Sequence, residues 1–292
     1  MKTSLARALE ASLGARVTGH VRAGGGSIHE AFVVSLSDGR RVFVKTRDDA
    51  DHETFAIESE GLSWLREGLS SSSEGLRVPR VLAVLSSPHA LVLEAFEEGR
   101  PTRQSDEALG RGLAQLHGSL AAGARFGFHR ANDLATIRFD NTPRADWPTF
   151  YGEERLLPLL ARVERRGLAS TRLRRGLERV IARLPSLAGP PERAARLHGD
   201  LWSGNASVDA DGRPVIFDPA VFAGHREIDL AMMSLFGGFS PRVFAAYDER
   251  WPRAPGHEER VPLYQLLPLL AHVVLFGASY VGSVESALAR LA

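Results

Sequence analysis

The sequence of 292 residues contains no cysteine, which excludes disulfides, thiolate zinc sites and cysteine nucleophiles. Lysine is scarce as well, because only Lys2 and Lys45 among the 36 basic residues are lysine. The 36 basic and 35 acidic residues nearly cancel, and no block of like charge stands out. Nucleic-acid binding is therefore not indicated.

The chain also lacks an uninterrupted apolar run of the roughly 18 residues that a membrane span requires. The most apolar stretch, 263–277, is broken by Gln265, Pro268 and His272 and predicts a buried helix. Residues 1–14 are typical of an amphipathic helix and not of a signal peptide, so no membrane partner and a cytoplasmic location are expected. With 44% apolar and 24% charged residues, the chain is a globular protein long enough for two lobes, and its oligomeric state is not indicated.

A short motif carries the chemistry. Residues 198–205 read HGDLWSGN, and Asp218 follows in VIFDPA after a turn at 211–212, so one hairpin carries two carboxylates and an amide. Phosphoryl transfer from ATP needs a carboxylate beside the acceptor hydroxyl and oxygen ligands for Mg²⁺. Asp200 suits the first role, and Asn205 and Asp218 suit the second. The five-residue step from Asp200 to Asn205 equals that of protein-kinase catalytic loops; the alternative is a hairpin with polar turn residues.

Upstream elements favour a nucleotide site. Lys45, in the predicted strand 40–45, offers a compact ammonium to phosphates, although it could be a stray lysine on a strand edge. The run Gly24, Gly25, Gly26 and Ser27 joins two strands about twenty residues earlier. Glycines at such a place let the backbone approach ATP phosphates, whereas an ordinary flexible turn is the alternative.

A predicted helix over 53–68 contains Glu58, which we expect to pair with Lys45; Glu60 competes for that role, and a solvated glutamate is the plain alternative. Five strands within 17–96 predict an antiparallel sheet that ends at a hinge, where Glu94 and Phe96 are candidate contacts for adenine. The chain beyond about residue 99 is predicted to be mainly helical, with an aromatic loop over 126–147.

Two side chains and one arginine-rich stretch have less specific signals. His117 ends an amphipathic helix and is expected to pack or cap there. The arginine-rich stretch 162–183 is typical of a solvated helix face. Trp202 follows the expected base by two residues, where an indole either forms a wall of the acceptor pocket or packs into the core.

The motif HGDLWSGN, followed by DPAVFAGHREIDLAMMSLFGGF over 218–239, resembles the fructosamine kinase (ketosamine-3-kinase) family. That family belongs with aminoglycoside and choline kinases in the protein-kinase-like fold. The resemblance implies an α+β, bilobal protein with a small antiparallel-sheet N-lobe (1–98) and a mainly helical C-lobe (99–292). It also implies ATP-dependent phosphorylation of the 3-hydroxyl of a ketosamine, either a small molecule or a glycated protein, and breakdown of the product to free the amine.

Carried over residue by residue, the resemblance makes Asp200 the catalytic base, Asn205 and Asp218 the Mg²⁺ ligands, and Lys45 the phosphate ligand paired with Glu58. It implies that His198 and Asp229 support the catalytic loop. Pro268 and Ala271 depart from the family by replacing polar residues, which leaves the substrate range open. The alternatives are an aminoglycoside- or choline-type phosphotransferase and a silent nucleotide-binding regulator.

Overall fold

The computed structural model describes residues 1–24, 30–47, 53–69 and 75–292. The fold is α+β, as expected. The N-terminal part consists of helix α1 (Thr3–Leu13), strands β1 (Val17–Arg22), β2 (Glu30–Leu36) and β3 (Arg41–Thr46), helix α2 (Thr54–Glu67), and strands β4 (Val81–Ser86) and β5 (His89–Glu94). These strands form one antiparallel sheet in the order β1-β2-β3-β5-β4, which confirms the predicted five-stranded sheet.

The sheet is covered on both faces, and side-chain alternation along β3 decides which residue meets which helix. Val42 and Val44 pack in a cluster with Leu5 and Leu9 of α1. Lys45 lies on the opposite face, toward α2, because successive strand residues point to opposite sides. Since β3 is the central strand, Lys45 is not an edge residue.

The remaining chain is mainly helical, and its α-helices are α3 (Arg103–His117), α4 (Trp147–Tyr151), α5 (Leu157–Arg165), α6 (Thr171–Ala182), α7 (Leu184–Leu187), α8 (Glu227–Leu235), α9 (Pro241–Arg250), α10 (His257–Phe276) and α11 (Val281–Arg290). A π-helical segment, Gly152–Leu156, joins α4 to α5. The predicted buried helix is confirmed by α10, which lies in the main core. No helix of the described ranges is long and apolar enough to cross a membrane.

Short strands place the loops of the helical part: β6 (Asn132–Leu134), β7 (Ile137–Phe139), β8 (Ala195–Leu197), β9 (Ala206–Val208), β10 (Pro214–Ile216) and β11 (Phe222–Gly224). The predicted hairpin is confirmed by the pairing of β9 with β10. The prediction of a loop over 126–147 was wrong in part, because β6 and β7 form a hairpin there. Strands of three residues are too short to show an alternating pattern in the sequence.

The lobe boundary at 98/99 stays a prediction.

Candidate active site

The loop 198–205 lies between β8 and β9, and the buried carboxylate of Asp229 holds its backbone. Asp229, which is 0% exposed, accepts backbone hydrogen bonds from His198 (2.7 Å) and Gly199 (2.9 Å). Burial opposes ionisation, but hydrogen bonds from His117 and Gly199 outweigh it, so the pKa of Asp229 lies below its usual value. Gly199 has a φ of +82°, and a Cβ there would lie 2.0 Å from the Ala220 oxygen. The loop therefore requires glycine at this position.

The imidazole of His198 connects two segments of the site. Its Nε2 donates to the Phe217 carbonyl at 2.9 Å, and its Nδ1 accepts from the backbone N–H of Asp200 at 3.3 Å. Burial lowers the pKa of His198, which fits the neutral ring that this pattern requires. His198 and Asp229 thus both contact the backbone of the segment that contains Asp200, and their role in supporting catalysis stays a prediction.

Asp200 and Asn205 are in direct contact. The Asn205 Nδ2 donates to the backbone oxygen of Asp200 at 2.8 Å and to its Oδ2 at 3.0 Å. Burial, together with the charges of Asp218 and Asp229, raises the pKa of Asp200 to about 7 despite the hydrogen bond from Asn205. A carboxylate with this pKa is suited to accept a proton near neutral pH.

Lys45 joins the sheet to the catalytic hairpin. Its Nζ donates to Glu58 Oε1 at 2.7 Å and also contacts the carboxylate of Asp218. Burial disfavours the charged ammonium, but the two carboxylates outweigh it, so the pKa of Lys45 lies above its ordinary value. With 7% exposure on the central strand, Lys45 is not a stray edge lysine.

The competing glutamate is engaged elsewhere. Glu60 accepts a hydrogen bond from Arg130 Nη1 at 3.0 Å and contacts the ring of His129, so Glu58 is the partner of Lys45. Gly24 follows β1, and none of the described residues lies near its Cβ position. The predictions for Gly25, Gly26 and Ser27 lie outside the described residues.

The hinge residues have definite partners. Glu94 ends β5, and its carboxylate accepts hydrogen bonds from Arg77 Nη2 at 2.8 Å and Arg80 Nε at 3.2 Å. The ring centroid of Phe96 lies 6.2 Å from that of Phe217, the residue before Asp218. The side chain of Glu94 therefore joins the end of β5 to Arg77 and Arg80, whereas the hinge and the contact of Glu94 and Phe96 with adenine stay predictions.

Sequence reasoning missed the part that His117 plays. This residue is 0% exposed, its Nε2 donates to Asp229 Oδ2 at 3.1 Å, and its Nδ1 lies 2.9 Å from the Tyr247 hydroxyl. Packing was expected, and the ring is indeed packed, but it also connects α3 and α9 to the carboxylate that supports the catalytic loop. The sequence did offer one signal of this role, because His117 is a polar residue on the face of α3 that is predicted to be buried.

A cavity of about 590 Å³ brings the expected site together, with Lys45, Glu58, Asp200, Asn205 and Asp218 in its wall. Trp202 lines the same cavity and is 39% exposed, so the alternative of an indole packed into the core is wrong. Its ring lies against Gly204, where a Cβ would approach within 2.2 Å. Contact of Trp202 with an acceptor stays a prediction.

The donor atoms beside the cavity fit a magnesium ion on a nucleotide. The hydrogen bonds of the Asn205 side chain, as far as the chain is described, all use Nδ2, which leaves Oδ1 for a cation. The Asp218 side chain is 41% exposed, and its backbone has a φ of 59°, a conformation that is uncommon for non-glycine residues and is found at active sites more often than elsewhere. Two protein oxygens completed by phosphate oxygens form a typical Mg²⁺ site.

Comparison with known proteins identifies the group to which this arrangement belongs. The sequence profile of the family named fructosamine kinase matches residues 1–292. The chain belongs to the fructosamine kinase family. A relative named probable ketoamine kinase, from Enterococcus faecium, is 34% identical over 90% of this chain and 92% of its own length. The protein-ribulosamine 3-kinase of Oryza sativa subsp. indica is 34% identical over 93% of this chain and 78% of its own length.

Solved structures agree on family and fold. A crystal structure from Thermobifida fusca, provisionally named fructosamine-3-kinase, superimposes with a TM-score of 0.89 at 39% identity and covers 99% of both chains. A macrolide 2'-phosphotransferase type I has a TM-score of 0.65 at 18% identity, covering 99% of this chain and 96% of its own, and shows the shared fold alone. This fructosamine kinase family member thus has the protein-kinase-like fold and the kinase activity class expected from its motif.

Proposed function

We propose that this protein transfers the γ-phosphoryl group of ATP to the 3-hydroxyl of ketosamines. The observation that carries the proposal is the placement of Asp200, with a pKa of about 7, in one cavity with Lys45, Glu58 and Asp218. The relatives named ketoamine kinase and protein-ribulosamine 3-kinase support this acceptor class over an aminoglycoside or choline. The presence of the base, the lysine and both metal-ligand candidates argues against a silent regulator.

Asp200 acts as the base in this proposal. Its carboxylate accepts the proton of the acceptor hydroxyl as the oxygen bonds to phosphorus, a contribution typically worth about 10²- to 10⁴-fold in rate. The hydrogen bond from Asn205 Nδ2 fixes the orientation of Oδ2. Asp229 keeps the loop in place through the backbone of His198 and Gly199.

Lys45 binds the α- and β-phosphates. In the structure its ammonium lies between Glu58 and Asp218, so a nucleotide would replace the contact with Asp218 while the 2.7 Å bond to Glu58 keeps the side chain extended. Asn205 and Asp218 would hold Mg²⁺, which supplies charge neutralisation on the phosphates when it is bound. The main chain after β1, including Gly24, would cover the phosphates.

The biological outcome that we propose is deglycation. A phosphate on C3, next to the ketone carbon, is a good leaving group. Loss of a proton from the carbon that bears the amine expels the phosphate, and water then hydrolyses the resulting imine, which frees the amine and leaves a dicarbonyl sugar. Small-molecule ketosamines and glycated proteins are both candidate acceptors. We place this activity in the cytoplasm, and we divide the chain at 98/99 into a nucleotide-binding lobe and a catalytic lobe.

The test is ATP turnover with fructosyl-lysine, with the product located by ³¹P NMR. We expect phosphorylation at the 3-hydroxyl, and we expect Asp200→Asn to bind ATP normally with kcat reduced by about 10²-fold or more. If choline or an aminoglycoside is phosphorylated and fructosyl-lysine and fructosyl-peptides are not, the acceptor class is wrong. An Asp200→Asn variant that keeps over a tenth of the parent kcat contradicts the role of the base.

A further inference from the structure

The far wall of the cavity is built from aromatic rings that the phosphoryl-transfer groups do not use. His272 of α10 lies at the centre of this cluster. Its ring centroid is 4.9 Å from Phe236, 5.2 Å from Phe276 and 4.8 Å from Tyr280. All of them line the cavity that contains Asp200. We refer to these residues, Phe236, His272, Phe276 and Tyr280, as the aromatic wall.

The wall is preformed, and much of its apolar surface faces solvent. His272 Nδ1 donates to the Pro268 carbonyl at 2.7 Å, which fixes the orientation of the central ring. Phe236 is 44% exposed and Phe276 is 59% exposed. Large apolar side chains left exposed beside a cavity are typical of a binding surface, because covering them gains about 25 cal/mol per Å².

The wall carries no formal charge. The charged residues that line the cavity, within the described part of the chain, come from β3, α2, Asp133 and the catalytic hairpin, and none comes from α8 or α10. Pro268 and Ala271, which also line it, add only apolar surface. A carboxylate placed against this wall would lose hydration without gaining a charged partner, which is costly. A ring or an alkyl chain placed there would have no charge to dehydrate and would not incur this cost.

The geometry of the proposed reaction places one part of the acceptor here. The 3-hydroxyl must meet Asp200 and face the phosphates held near Lys45 and Asp218, so the rest of the acceptor extends away from the nucleotide. Trp202 and the aromatic wall line the same cavity as Asp200. The substituent on the amine nitrogen is the variable part of a ketosamine, and the wall is an apolar surface of this cavity that can receive it.

We infer that the aromatic wall is a subsite for the amine substituent and that it selects ketosamines with an apolar, ring-bearing substituent over those with a carboxylate or a small polar one. This inference rests on the proposed function. The aromatic wall would select the acceptor although its residues take no part in phosphate or proton transfer.

The experiment compares three fructose adducts, made with benzylamine, 4-(aminomethyl)benzoate and ethanolamine, in the parent, Phe276→Ala and Leu157→Ala proteins. The first two adducts share a ring and differ by one carboxylate. Leu157 is a matched control, since it is 43% exposed and does not line the cavity. We expect the parent to prefer the benzyl adduct over each of the others by about tenfold in kcat/KM, the scale of one apolar contact in a pocket.

In Phe276→Ala, the benzyl-to-hydroxyethyl ratio of kcat/KM should fall at least about fivefold through a higher KM for the benzyl adduct, with the KM for ATP unchanged. Phe276→Leu should restore part of the ratio, and Leu157→Ala should leave it unaltered. Equal kcat/KM for all three adducts in the parent, or an unchanged ratio in Phe276→Ala, would overturn the subsite while the kinase function stands. Phosphorylation of none of them, nor of fructosyl-lysine, would overturn the proposed function and the subsite with it.

Discussion

Replacing His117 by phenylalanine should reduce both stability and turnover, although the residue lies outside the cavity. Phenylalanine keeps the ring shape but removes both hydrogen bonds of His117, to Asp229 (3.1 Å) and to the Tyr247 hydroxyl (2.9 Å). Asp229 then keeps only its bonds to the backbone of His198 and Gly199, in a place with no solvent contact.

The expected loss of stability follows from the two groups that lose a hydrogen-bond partner, the carboxylate of Asp229 and the hydroxyl of Tyr247. A hydrogen bond to a charged group contributes about 1.5–3 kcal/mol, and a buried polar group without a partner costs about 1–3 kcal/mol. The larger apolar surface of phenylalanine offsets part of this loss, so we expect the free energy of unfolding to fall by about 3 kcal/mol. Tyr247→Phe leaves the bond between His117 and Asp229 in place and should cost only about 1 kcal/mol.

Urea unfolding of the parent, His117→Phe, Tyr247→Phe and the double variant forms a complete cycle. Because Asp229 also positions the loop that carries Asp200, kcat of folded His117→Phe should fall by about tenfold with the KM for ATP unchanged. If His117→Phe is no less stable than Tyr247→Phe, or if it keeps the parent kcat, the ring does not stabilise the loop.

Three further changes test other parts of the structure. Lys45→Arg should lose about 10²-fold or more in kcat/KM, because a planar guanidinium cannot replace an ammonium between Glu58 and phosphates, and steady-state kinetics will measure it. Asp218→Ala should shift activation to higher Mg²⁺ concentration, measured by Mg²⁺ titration of turnover. Burial lowers the pKa of His225 to about 4, so the folded protein binds its proton more weakly than the unfolded chain. Stability should thus be complete above about pH 6.5 and fall by up to about 3 kcal/mol toward pH 4, and His225→Phe should remove this loss in urea unfolding across that range.

Each of these expectations has a contrary result. Parent-like kinetics of Lys45→Arg would mean that charge alone suffices at that position. A Mg²⁺ activation curve shared by the Asp218→Ala and parent proteins would exclude Asp218 as a metal ligand. The same pH dependence of unfolding in the His225→Phe and parent proteins would assign the acid instability to other groups.

The sequence determined the fold class and the catalytic hairpin, since both depend on local patterns. Strand alternation and turn residues predicted the five-stranded sheet, and the turn at 211–212 predicted the pairing of β9 with β10. The step from Asp200 to Asn205 matched that of protein-kinase catalytic loops, and these two residues are in contact in the structure. Strands of three residues, such as β6 and β7, were missed because they are too short to carry a period.

Only the tertiary structure decided between residues that local patterns treat alike. Glu58 and Glu60 occupy one helix two positions apart, and the packing of α2 on the sheet gives Lys45 to Glu58 and leaves Glu60 to Arg130. The link from His117 to Asp229 joins residues 112 positions apart, and the aromatic wall combines the end of α8 with α10 and Tyr280. Such contacts depend on the packing of elements that are far apart in the sequence. Helical periodicity predicts which face of a helix is buried, but it does not predict which other element covers that face.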